Sequence, residues 1–458
     1  MCSNNRILWI ALVVLLLSGC SDQGQQIETP DTRTVNGVTL EKAGGELPGT
    51  EGNPGIGEPG VPGGGSRSPV HGYVWQDKAV LSSLPTTGPA WENVVDYAEN
   101  SFYYGGLDTH RHFDVFLFDK DSDADVLALA KALVYVRAPE LGLNYRNEIQ
   151  QAVQAILNDW SNPNSLRCTD EPLSVARNLP GYVIAADYVG LDEPLGSNFR
   201  RWLATMYDEP LCEGFDCVRD DRSLHETMLE RPNNWGTMAM AAMAAIAAYR
   251  NDIKLLTEVR QVLDGWMGNR AAYSGFGYGD LSWQADAGAP VGIGPPGSSI
   301  NTGICVFSTD GALPEELRRG QFCDPNNTGC DPANDCDPDT PGIQCKVVAT
   351  PMTTCEMGEG LIQKSQHIYG ALSGAVVCAE ILRRHGYPDV YDWDSQALRR
   401  AAQWLQDRDA EDPSAGWWFG GDDTFVPWLL NKMYGTAFPA THDTNAGKNV
   451  GFTDWTHQ

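Results

Sequence analysis

Between residues 90 and 434 the apolar residues return again and again at spacings of three and four, with Gly, Pro and Asn between the periodic stretches. That rhythm belongs to the α-helix, whose faces repeat every 3.6 residues, and it leaves little room for strands. Helices are predicted over 90–101, 123–138, 144–160, 172–190, 195–207, 235–250, 252–268, 359–386, 395–407 and 424–434. Leu127, Ala130, Ala132, Leu133 and Val136 give one its buried stripe, with Lys131 and Arg137 off that face. Met240, Met243, Ile246 and Tyr249 do the same in a Met- and Ala-rich stretch, which reads as close helix packing rather than as a cofactor box. Helices of this length in series predict an all-α chain of antiparallel hairpins, an (α/α)n toroid with a long disulfide-rich loop insertion. A closed toroid also lets residues 71–458 share one core, although they exceed the usual ~100–200 residues of a domain.

The start of the chain is of another kind. Arg6 is followed by an apolar run from Ile7 to Leu17, and Leu17-Ser18-Gly19-Cys20 has the form of a lipobox. The run is too short to span a bilayer, which takes roughly 17–25 residues. Residues 1–20 are therefore expected to be a lipoprotein signal peptide, with Cys20 lipidated and the protein held to the cell envelope by that anchor. Ser21 in place of aspartate favours the outer membrane, facing the periplasm or the surface. Residues 21–70, rich in Gly, Pro, Thr and Glu, are expected to form a flexible tether.

Residues 269–357 replace helical periodicity with Gly, Pro, Asp and Cys. Outside the leader's Cys2 and Cys20, an oxidising compartment makes disulfides plausible partners for the cysteines; Cys212 with Cys217 is one local choice, and Cys323, Cys330, Cys336, Cys345 and Cys355 crowd the insertion. Cys378, in a helical pattern, reads as a buried free thiol. The run from Asp324 to Asp339 is dense in hard oxygen ligands, so a structural calcium is one reading and a disulfide-pinned acidic loop the other; no cofactor is otherwise required.

The net charge of −28 excludes nucleic acid as a natural partner. It also repels anionic polymers at long range, although salt at about 0.15 M confines that field to roughly 8 Å. A monomer is expected. No phosphate-binding Gly-rich loop and no nucleophile elbow occurs, and His225-Glu226 lacks the second histidine of a zinc-protease helix. His110 and His112, with Asp108 and Asp114, have the residue types to hold a metal, but in a tight polar loop they read first as local hydrogen bonding.

Three constellations remain. In Arg231-Pro-Asn-Asn-Trp235 a helix begins at tandem asparagines; capping needs one, which leaves the other amide to donate to a substrate carboxylate where the helix dipole is positive. In Gln363-Lys-Ser-Gln-His-Ile-Tyr369, Lys364 and His367 share a face, and His367 has the proton affinity for acid-base work near neutral pH. Arg177-Asn178 offers a guanidinium suited to bidentate carboxylate recognition. With 14 Trp and 16 Tyr a sugar-stacking cleft is affordable, and Trp235, Trp283, Trp417, Trp418 and Trp428 are its candidates.

Leu84-Pro-Thr-Thr-Gly-Pro-Ala-Trp91, Asp121-Ser-Asp-Ala-Asp-Val126, Leu129-Ala-Lys-Ala-Leu-Val-Tyr135, Ala176-Arg-Asn-Leu-Pro-Gly-Tyr-Val-Ile-Ala-Ala-Asp187, Asn233-Asn234-Trp235 and the helix at 361–386 follow one another in an order that resembles the alginate-lyase-like polysaccharide lyases. The likeness runs from about residue 72 to 435. It implies an α/α toroid that cleaves alginate, glucuronan or a related polyuronide by β-elimination, with an anionic polysaccharide as substrate. In that family an Asn-Asn-His motif meets the substrate carboxylate; here Asn233 and Asn234 match its start and Trp235 stands where histidine is usual. Lys364 lies near the family's basic residue, and His367 or Tyr369 near its tyrosine. The resemblance thus implies Asn233, Asn234, His367 and Tyr369 as catalytic, and Arg177, Asn178, Trp235, Gln363 and Lys364 as substrate-binding. Two other readings stay open: a glycoside hydrolase using two carboxylates among Glu226, Asp187 and Asp280, and a surface glycan-binding lipoprotein without catalysis.

Overall fold

The computed structural model describes residues 74–105, 113–119, 121–142, 144–161, 171–211, 222–269, 271–276, 366–411, 417–418, 425–442 and 449–457, together with 311 and four short strands. The chain divides into two units, Met1–Ser68 and Pro69–Gln458. In the first, within the segment expected to be a flexible tether, β1 (Thr32–Val35) pairs antiparallel with β2 (Val38–Glu41). Its β-branched residues and the Asn36-Gly37 pair between the strands supply the local preference.

Among the described residues the second unit is helical apart from a short pair, β3 (Val291–Ile293) with β4 (Cys305–Phe307), inside the expected insertion. Its helices are α1 (Lys78–Ser83), α2 (Pro89–Ala98), α3 (Ala124–Arg137), α4 (Tyr145–Trp160), α5 (Glu171–Val189), α6 (Leu195–Thr205) and α7 (Leu224–Glu230). They continue with α8 (Asn234–Arg250), α9 (Ile253–Met267), α10 (Gln366–Arg384), α11 (Trp393–Glu411), α12 (Val426–Tyr434) and α13 (Thr453–Thr456). Three short ones, α1, α7 and α13, went unread in the sequence. For α7 the signal was there: Ser223 and Glu226 form a capping box, each side chain bonding the other's backbone amide. Residues 359–365 of the predicted helix 359–386 lie outside the described residues, and α11 opens with Asp394, Ser395 and Gln396 in the left-handed region.

A layer of helices buried nearly all round, α3, α5, α8 and α10, forms the core, each packed on the next. Their relative directions follow from particular contacts. Gly370 and Gly374 of α10 lie against Asn234 and then Thr237–Met238 of α8, so these two run the same way. Asp187, near the end of α5, acts on the Tyr249 phenol near the end of α8. Gly181 of α5 sits on the backbone of Asp125 at the start of α3, and Asn178 and Tyr182 hold the chain that leads into α3. The starts of these helices therefore gather at one end of the layer. Outside it run α4, α6, α9 and α11; α9 is antiparallel to α8, since Trp266 near its end donates to the Pro232 carbonyl just before α8.

Lys131 corrects the sequence reading. It is fully buried, because α3 has no solvent face: its ammonium donates to the carbonyls of Ala98 (2.6 Å) and Asn100 (2.7 Å) and pairs with Glu148 at 2.8 Å. Cys378 is a free, buried thiol, as expected. The last helix meets the first ones: Trp455 packs on Trp91 and donates to the Pro85 carbonyl, and Gln76 donates to the Thr456 carbonyl.

The α8–α10 seam tolerates no added atom at Gly374, where a Cβ would lie 2.5 Å from the Thr237 carbonyl carbon and 2.6 Å from the Met238 nitrogen, both backbone. Gly374→Ala is expected to destabilise the fold by about 1–3 kcal/mol, read as a fall in the denaturant midpoint. An unchanged midpoint would show that the seam is looser than these distances.

Candidate functional site

At the seam of α8 and α10 the tandem asparagines lie against Gly370, the residue that follows the second sequence-predicted constellation. Asn233 is the N-cap of α8, in extended conformation, and its side-chain oxygen accepts from the Trp235 amide at 3.1 Å. That cap uses the oxygen; its amide nitrogen has no partner among the described residues. Asn234 is the first helical residue and is buried against the head of α10: a Cβ on Gly370 would lie 3.8 Å from its Cβ and 4.0 Å from its amide nitrogen. Those distances are ordinary van der Waals contact, so the two helices pack here without crowding.

On α10, His367 is three residues before Gly370 and so shares the face turned to Asn234, whereas Tyr369 lies about 200° round from His367. Tyr369 is 1% exposed and meets the Trp418 ring edge-on at 5.6 Å. His367 is half-buried. Gln363 and Lys364 lie outside the described residues, as do Cys20, Trp283, Asp280, His110, His112, the acidic run 324–339 and Cys323, Cys330, Cys336, Cys345 and Cys355.

Trp235 is packed rather than displayed. It is 5% exposed, and the Arg231 guanidinium covers one face of its ring at 4.5 Å, so it offers no open sugar platform. Asn178 is likewise structural: both its amide protons go to backbone carbonyls, of Leu117 at 3.1 Å and Asp119 at 2.8 Å. Its neighbour Arg177 behaves differently. It is half-buried on α5, its Nε has no hydrogen-bond partner, and no carboxylate pairs with it among the described residues. Of the tryptophans, Trp417 and Trp418 are buried, and Trp428, half-buried, stacks on His442 at 4.8 Å.

Two residues of this region escaped the sequence reading. Asn449 is fully buried, holds a positive φ of 81°, and its amide nitrogen reaches the Met238 sulfur one turn along α8 from Asn234, while its carbonyl oxygen is without a partner. A lone asparagine in a Gly- and Lys-flanked stretch gives no sequence signal of such a place. His442 pairs with Asp454 at 2.8 Å, in the stretch where Trp418 donates to the Pro439 carbonyl. Burial raises the Asp454 carboxyl above its ordinary value, although His442 pulls it down.

Other titratable groups are accounted for by packing. His225 is buried, stacks on Tyr207 at 3.7 Å and pairs with Glu258 at 3.1 Å. Glu226 caps α7, and Asp187 accepts the Val74 amide at 3.2 Å near the far end of α5. Among the described residues no three metal-ligating side chains gather, and no described helix is long and apolar enough to cross a membrane.

No family model matches the chain, and neither a curated protein nor a solved structure is significantly similar to it.

Proposed function

We propose that the protein is an exported, lipid-anchored polysaccharide lyase that cleaves a uronic-acid polymer such as alginate or glucuronan by β-elimination, on an (α/α)n toroid. The observation that supports the reading is the contact of Asn234 with Gly370 in the head of α10, three residues after His367. Support for the toroid comes from the layer of like-directed helices with α4, α6, α9 and α11 outside it, and from the last helix closing on the first.

The chemistry makes a definite demand. The C5 proton of a uronate is weakly acidic while the adjoining carboxylate keeps its charge, so donors must hold that charge as an enolate-like intermediate forms. Asn233 and Asn234 supply amide N–H groups at a helix N-terminus, and Arg177 supplies a guanidinium whose charge no described carboxylate satisfies. His367, three residues before Gly370, then takes the C5 proton and returns it to the departing O4, since the buried Tyr369 faces the other way. Of the carboxylates in the hydrolase reading, Glu226 accepts the Ser223 amide and Asp187 the Val74 amide.

Absorbance near 235 nm, followed while the purified protein is incubated with alginate, glucuronan and other polyuronides, is the test. A rise on at least one uronide is expected. Reducing ends without absorbance would replace the lyase with a hydrolase, and binding with unchanged polymer length would leave a glycan-binding protein.

A further inference from the structure

Residues 449–457 form a strap across the junction between the first elements and the C-terminal helices. Trp455 packs on Trp91 and donates to the Pro85 carbonyl, Gln76 donates to the Thr456 carbonyl, and Thr453 donates to the Phe425 carbonyl just before α12. Two residues of the strap, Asn449 and Phe452, hold positive φ values of 81° and 59°. An aromatic residue enters the left-handed region only where its surroundings hold it there, so the shape of the strap depends on its anchors.

One anchor titrates. His457 is 2% exposed; its Nε2 lies 3.1 Å from Glu380 Oε1, its Nδ1 lies 2.7 Å from the Thr456 hydroxyl, and its ring meets Trp75 edge-on at 5.2 Å. Glu380 already pairs with Arg383 at 2.8 Å and Arg384 at 2.7 Å, and it accepts from the Tyr391 hydroxyl at 3.4 Å. A protonated His457 is therefore a third cation on one buried carboxylate, and Lys432 of α12 adds to the positive field there. Behind the first segment α5 turns Asp187 to the Val74 amide and the Tyr188 hydroxyl to Gln76, while the strap's own Asp454 pairs with His442. Glu380 is thus the one carboxylate in contact with the imidazole among the described residues.

A proton is easier to place on His457 once water reaches it, so protonation favours the released strap over the closed one. We infer that residues 449–457 are an acid-released clasp: protonation of His457 frees the strap from the first elements and from α10 while the helical layer stays folded. Burial lowers the proton affinity of the imidazole more than Glu380 restores it. Closure is fully favoured above about pH 6.5, the value of an unfolded histidine, and weakens as pH falls toward the folded one. Release uncovers the Trp91 and Trp455 rings and withdraws Asn449 from Met238, one turn along α8 from Asn234. The clasp does not rest on the lyase reading.

Hydrogen exchange of the full chain, read by mass spectrometry as protection factors from about pH 7.5 to about pH 5, tests it. Protection of 449–457 and 74–91 is expected to fall below about pH 6.5, by up to about tenfold per pH unit as one proton dictates, and to recover on return to neutral pH. Residues 124–137 and 236–248 are expected to keep theirs. His457→Gln, which retains a donor for Glu380 and takes up no proton, is expected to hold the strap at one level of protection throughout. No loss in the wild type, an equal loss in strap and layer, or the same loss in H457Q overturns the proposal. If H457Q does not fold, the wild-type profile decides alone, since the clasp requires a one-proton slope in the strap with the layer still protected.

Discussion

Glu380→Gln is expected to lower the stability of the protein by about 3 kcal/mol, with a fall of several degrees in Tm. Glu380 is wholly buried in α10 and joins four groups: Arg383 at 2.8 Å, Arg384 at 2.7 Å, His457 at 3.1 Å and the Tyr391 hydroxyl. Removing one partner of a buried ion cluster leaves the others desolvated without compensation. The effect falls at the lower end of that class because Arg383, 28% exposed, regains some water. The loss also loosens the C-terminal segment, which His457 ties to α10.

The same cluster sets the acid limb of stability. Burial alone would raise the Glu380 carboxyl; its bonds and charges from Arg383, His457 and Arg384 outweigh that and hold it well below the usual range. Burial lowers the His457 imidazole, and Glu380 only partly restores it, so the arginines carry the pairing at neutral pH. Both folded values lie below the unfolded ones. Each group therefore contributes stability that is present above its unfolded pKa and lost as pH falls, His457 from about 6.5 and Glu380 from about 4.3 downward. Denaturant midpoints across this range are expected to fall toward acid in the wild type and to fall less below about pH 4.3 in Glu380→Gln. Parallel curves for the two proteins would show that the cluster does not set the limb.

Asn234→Ala is expected to cut kcat for uronide elimination by about 10²–10³ with the fold retained, the usual cost of deleting one donor to a developing anion. The side chain is buried beside Gly370, so its loss also leaves a small cavity, and Tm measured on the same preparation separates the two effects. A stable variant with full activity would mean that the donors lie elsewhere even if the reaction is right. Arg177, on a different helix, reports on charge rather than on the α8 cap, so its kinetic effect should not follow Tm.

Helical periodicity survives folding because it is local. The predicted 123–138 and 235–250 became Ala124–Arg137 and Asn234–Arg250, and the cap at Asn233 was legible from its residue type alone. Which face of a helix meets water was not legible for Lys131, because three carbonyl and carboxylate partners from other parts of the chain make an interior place for a charge. For Trp235 and Asn178 the residue types suited a sugar, yet local packing had already used the ring face and the amide.

Alone, then, the order of residues determined where the helices lie, how α7 and α8 begin and how acidic the whole is, since those depend on neighbours a few positions apart. Tertiary structure decided that Gly370 packs on Asn234, that Asn449 comes to Met238 from 211 positions away, and that His457 reaches Glu380. Those meetings depend on close backbone approach and on helix direction, and neither leaves a period in the sequence.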